Sequence, residues 1–273
     1  MDALATVAFY LGVIAYSAAS TLFFLDLARQ TAPGPRSTWG PRVLAAGAVL
    51  HAVHVVVASL LLNRCPVESL HFGLSFSALV AVAAFLLLRR HANLDPMGVL
   101  VAPIALTFLV GAQFVGVDLP SEALISRPLL VLHVTANVLG LGIFLVAGAA
   151  GSLYLWQERR LRDKRAGGMA SRLPSLDALD RATHRLLLIG FPLLTFGVVT
   201  GAIFSRELST FAGAALARTL FGFATWFLLA GVLVLRRLAG VRGRRAAYGT
   251  VAGVLCVLIV LVIYVVRPGG PGT

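Results

Sequence analysis

Six histidines are the residues in this chain whose type and placement could do chemistry: His51, His54, His71, His91, His133 and His184. Neutral imidazole is the least costly ionisable side chain to place in a membrane and a good iron ligand. The remaining chemistry is sparse. Asp26, Asp95, Asp118, Glu122, Glu158 and Glu207 all fall at the edges of apolar runs, with no paired carboxylates inside one. No nucleophile–His–acid spacing and no phosphate-binding loop occurs, so hydrolase and proton-pump chemistry have no residues to stand on and the chain is expected not to be an enzyme. Of the two cysteines, Cys65 falls in a loop and Cys256 in mid-span, at depths a disulfide cannot bridge. No CxxCH motif for covalent haem attachment is present.

The elements that position these histidines are membrane helices. The 273 residues are 59% hydrophobic and only 12% charged, about half the charge share of a soluble domain. The apolar residues come in eight runs, near 4–26, 41–62, 71–89, 97–116, 128–156, 184–204, 211–235 and 247–266. Each is long enough to cross a bilayer core as a helix, the form in which backbone polar groups are satisfied within the segment. The expected fold is a single all-α, polytopic integral membrane bundle of about eight transmembrane helices. The first run lacks a basic leader and reads as a retained span.

Most of the 23 basic residues lie in alternate loops, with the largest group in a basic cytoplasmic loop over 157–183. The positive-inside rule then places both termini in the periplasm. The formal charge of +12 is thus explained by topology. Contact with anionic lipid is expected, and nucleic acid is not, since no aromatic or motif signal accompanies the charge. Within the loop, Ser175 is positioned to cap a helix that begins near "PSLDALDRATHRLLL", and Leu173, Leu176 and Leu179 are expected to lie along the membrane surface. Pro103 and Pro192 are expected to kink their helices. There is no inverted repeat of the kind transporters carry.

This topology gives each histidine a depth. His51 falls near mid-membrane and His54 nearer the outer surface. His71 opens the third span and His133 lies just inside the fifth, both from the outer face. His91 and His184 sit at the cytoplasmic face. On the helical face of His133 lie Ala136, Asn137, Gly140, Phe144, Ala147, Gly148 and Gly151. Asn137, one turn deeper, can orient the ring. The small residues admit two readings: close approach of another helix, or room for a large flat ligand such as a porphyrin.

Three stretches carry a resemblance. "RPLLVLHVTANVLGLGIFLVAGAAGSLYLWQERRLR", "LPSLDALDRATHRLLLIGFPLLTFGVVTGAIF" and "VRGRRAAY" resemble the cytochrome c assembly family, in particular the HemX- and YpjD-like relatives of CcsA and CcmC. The resemblance implies a haem-handling protein of the bacterial inner (plasma) membrane that binds or passes haem b, or assists cytochrome c biogenesis or haem synthesis. It implies haem, and with it other cytochrome c assembly proteins or a tetrapyrrole-synthesis enzyme, as partners. His133 matches the family's earlier periplasmic histidine. The larger members' WGxxWxWDPKE stretch corresponds to "FSRELSTFAGAALARTLFGFATW", where Arg218 and Trp226 alone echo it, and no counterpart of the later periplasmic histidine follows. The expected axial ligands are His133 and His54, provided the second and fifth spans are neighbours, with Asn137 orienting and His51 and His71 in reserve. The alternative is a haem-free scaffold or accessory subunit that recruits a partner through its basic cytoplasmic loop.

Overall fold

The computed structural model describes residues 2–28, 38–62, 69–90, 93–115, 128–164, 173–207 and 214–266. Cys65, His91, Asp118, Glu122 and the middle of the basic loop, 165–172, lie outside the described residues. Among the described residues the chain is all helical: α1 (Asp2–Ala28), α2 (Trp39–Leu61), α3 (Leu70–Arg89), α4 (Gly98–Ala112), α5 (Pro128–Arg162), α6 (Leu176–Glu207), α7 (Ala214–Leu238) and α8 (Arg244–Val265), with a 3-10 turn at Asp95–Met97 before α4. All eight helices, α4 together with its 3-10 turn, are long and apolar enough to cross a membrane. Helices α4 and α6 run on through Pro103 and Pro192.

Two groups of helices share one seam. In the first, α1 packs on α2 and α4, and α3 packs on α2 and α4. In the second, α5 packs on α6 and α8, and α7 pairs with α8. Helix α3 joins the groups by packing along α5, so it stands between α2 and α5. In lipid, helices gain little from apolar burial, and close packing through small residues holds them together. At the α3–α5 seam a Cβ on Gly142 would come within 2.7 Å of the Ser77 carbonyl oxygen. Ser77 closes the seam by donating its hydroxyl to the carbonyl oxygens of Gly73, at 2.8 Å, and Val138, at 3.2 Å.

The strip of small residues on α5 is filled by neighbouring helices. A Cβ on Gly140 would meet Leu193 of α6, on Gly148 Val254 of α8, and on Gly151 Val251 of α8. Of the two readings of that strip, close helix approach is the one seen.

The basic loop is shorter than 157–183. Helix α5 continues to Arg162, 35 residues in all, or about 52 Å at 1.5 Å per residue, well beyond a hydrocarbon core of roughly 30 Å. Helix α6 begins at Leu176 as one continuous helix, with Ser175 Oγ accepting the Ala178 N–H at 3.2 Å. Leu173 and Leu179 are buried in the protein core and Leu176 packs against it. The expected surface segment is therefore the first turn of α6, turned inward. What holds it there is Asp180. Arg236 donates from both terminal guanidinium nitrogens to its two carboxylate oxygens, at 2.8 and 2.7 Å, and the Gly243 N–H donates to it at 3.0 Å. One carboxylate thus ties the start of α6 to the end of α7 and the start of α8.

Candidate functional site

The histidines separate by what their ring nitrogens do. His51 is fully buried, and both nitrogens are engaged: Nδ1 with the Tyr16 hydroxyl at 3.1 Å and Nε2 with the Ser75 hydroxyl at 2.7 Å. It ties α1, α2 and α3 together, as a buried polar group must be tied, and has no nitrogen left for a ligand.

His54 and His71 differ. His54 Nδ1 lies 2.9 Å from the Ala5 carbonyl oxygen of α1, and His71 Nδ1 lies 2.7 Å from the Ala112 carbonyl oxygen at the end of α4. A carbonyl oxygen only accepts, so each Nδ1 carries the proton and each neutral ring presents Nε2 as a lone pair. Both side chains are buried, and they sit on the adjacent helices α2 and α3. Phe9 packs on the His54 ring and Phe72 on that of His71. Carbonyl-anchored Nδ1–H with free Nε2 is the arrangement that orients metal-bound imidazole and raises its basicity.

His133 faces another way. Its Nδ1 is 2.7 Å from Thr200 Oγ1 of α6. The threonine hydroxyl is itself spent on the Phe196 carbonyl at 2.6 Å, so the imidazole donates from Nδ1. Asn137 sits one turn deeper, as expected. Its Nδ2 donates to the His133 carbonyl oxygen at 2.8 Å and lies 3.2 Å from His133 Nε2. Asn137 fits against Gly197 so closely that a Cβ there would fall 2.4 Å from its Oδ1. The His133–Asn137 pair is therefore seated in the α5–α6 seam, and α3 separates it from His54. The condition that α2 and α5 be neighbours is not met.

The structure thus places His54 and His71 on adjacent helices and seats His133 with Asn137 between α5 and α6. Thr200, Ser75 and Tyr16 were not singled out in the sequence. The signal for them was available: each is a hydroxyl inside an otherwise apolar run, and such a group in lipid has to find a partner. Trp226 ties α7 to α6 by donating Nε1–H to Thr195 Oγ1 at 3.1 Å. His184 lies on α6 one turn from Asp180, with its Nδ1 buried and unbonded. Among the described residues, no group of three or more His, Cys, Asp or Glu side chains is placed to hold a bare metal ion, whereas axial ligation of a haem needs at most two.

Fold and site define a multi-pass helical membrane protein with two buried histidines, His54 and His71, each anchored through Nδ1 on a backbone carbonyl, and a third, His133, seated with Asn137 between α5 and α6. The model of the cytochrome C assembly protein family matches residues 44–268, and the chain belongs to that family. It is 27% identical over 199 residues to Protein HemX of Brevibacillus brevis, covering 72% of each chain. Against Protein HemX of Bacillus subtilis the figures are 26% over 258 residues, 92% of this chain and 91% of that one. Against the cytochrome c biogenesis protein CcsA of Guillardia theta they are 25% over 217 residues and 71% of each chain. It is a multi-pass bacterial membrane protein.

Proposed function

We propose that the protein serves cytochrome c biogenesis by holding haem b, non-covalently, within the membrane. The reading rests above all on one observation: His54 and His71, buried on adjacent helices, each have Nδ1–H fixed on a backbone carbonyl and Nε2 bare. That donor set fits a porphyrin iron. Bound there, haem would supply an iron that two imidazoles can hold low-spin. The chain's own contribution is to fix both tautomers, keep both rings from swinging, and exclude water behind Phe9 and Phe72. Family membership and the likeness to the cytochrome c biogenesis protein CcsA support the same role.

His54 is retained as a ligand, His71 moves from reserve to partner, and His133 with Asn137 becomes a second haem contact in the α5–α6 seam. Other cytochrome c assembly proteins and tetrapyrrole-synthesis enzymes are the partner classes this role implies. With both termini periplasmic, His54, His71 and His133 all lie toward the outer leaflet.

The test is the visible spectrum of protein purified from haem-replete cells, oxidised and then reduced with dithionite. Sharp α and β bands, with pigment extracted by acid acetone, support the reading. A colourless preparation that takes up no added haem sinks it and favours the haem-free scaffold.

A further inference from the structure

At the arginine-rich end of the bundle, away from His54, His71 and His133, a cavity of about 220 Å³ opens between the end of α3, the corner before α4 and the first turns of α6. Its floor is Leu88 and Leu94, and its rim carries Asn93, Ser175, Arg181 and Arg185. For scale, one water occupies roughly 30 Å³ in the liquid, so the space takes a phosphate group with some of its hydration.

The charges at the rim are of one sign. Asp95, in the same corner, is taken by Arg89. Asp177 pairs with one nitrogen of Arg181 from the exposed side. Arg185 has no carboxylate partner among the described residues. Ser175 Oγ accepts from the Ala178 N–H, which leaves its O–H to donate. The positive end of the α6 dipole lies beside it. Asn93 turns the corner in a left-handed conformation, φ 50°, which asparagine tolerates.

The surface leading away from the rim is apolar. Leu188 and Ile189, three and four residues beyond Arg185 and so on its helical face, are more than half exposed, as is Leu87 on α3. A soluble anion would make no use of that strip, but acyl chains would lie along it. Basic pockets between transmembrane helices at this level hold anionic headgroups. We infer that this cavity binds the phosphodiester headgroup of an anionic phospholipid between Arg181 and Arg185, with the acyl chains on Leu188, Ile189 and Leu87. The inference does not depend on the haem reading.

The experiment is native mass spectrometry of the delipidated full-length protein titrated with cardiolipin, phosphatidylglycerol or phosphatidylcholine. Wild type should take up one tightly held anionic lipid and discriminate against phosphatidylcholine. Arg181→Gln/Arg185→Gln should lose about twenty-fold in affinity, since each arginine near a headgroup is worth roughly four- to six-fold. Arg159→Gln/Arg160→Gln removes the same charge from the end of α5 and should leave the affinity unchanged. If the first variant stays within two-fold of wild type, or the second falls equally, no built site exists and attraction is diffuse. If millimolar inorganic phosphate displaces the lipid, the site is one for soluble anions and the lipid assignment is overturned.

Discussion

His54 on α2 donates its Nδ1–H to the carbonyl oxygen of Ala5 on α1, at 2.9 Å. Three residues earlier, His51 uses both ring nitrogens, on Tyr16 and Ser75. One turn of one helix thus carries two histidines of opposite character, one spent on the scaffold and one left with a free nitrogen. The intramembrane histidines divide on this basis, and the division can be tested one side chain at a time.

His51→Ala should act on stability. It removes a fully buried ring and strands two hydroxyls, a cost of about 2–4 kcal/mol. Thermal unfolding of the purified protein in detergent should shift down, while the haem spectrum per folded molecule stays that of wild type. An altered spectrum in the folded fraction would make His51 a ligand.

Asp180→Asn should weaken the basic end of the bundle. Asp180 and Arg236 are each only 11% exposed, and removing one charge leaves the other poorly solvated, a loss of about 2–3 kcal/mol at this membrane-edge depth. Melting should recover in part in Asp180→Leu/Arg236→Met, which removes both charges. A single variant as stable as wild type would show that the pair holds nothing together.

Gly197→Ala should disturb the seat of His133. The added methyl falls on Asn137, and overpacking of this kind costs about 1–3 kcal/mol. Hydrogen exchange should rise along the outer halves of α5 and α6 and stay unchanged in α1 and α2. Uniform or absent change would mean that the seam is not seated as described.

Alkaline phosphatase fused after Arg267 should be active and a fusion near Gly168 inactive, as the concentration of Arg and Lys in alternate loops requires. The reverse result would put His54, His71 and His133 toward the cytoplasm.

The eight helices were legible because a run of about 20 apolar residues has one stable form in lipid. The seating of Asn137 beside His133 was legible too, since i and i+4 share a face. Neighbour relations were not. Nothing in the periodicity of α2 says whether it lies beside α3 or α5, so His54 could be assigned a depth but no partner. Leu173 and Leu179 misled for a related reason: a leucine stripe beside basic residues reads the same whether it covers lipid or protein. Asp180 lies near the start of α6, and its reach to Arg236, 56 positions on, is a tertiary fact that no local pattern gives.

The most direct test of the central claim is the spin state of bound haem in His54→Ala, His71→Ala and His133→Ala, read by low-temperature electron paramagnetic resonance of the oxidised proteins. The account predicts a low-spin signal in wild type that turns high-spin, or disappears with the haem, in His54→Ala and in His71→Ala, and that survives in His133→Ala. A wild-type signal in both of the first two variants, with its loss in His133→Ala, would contradict it.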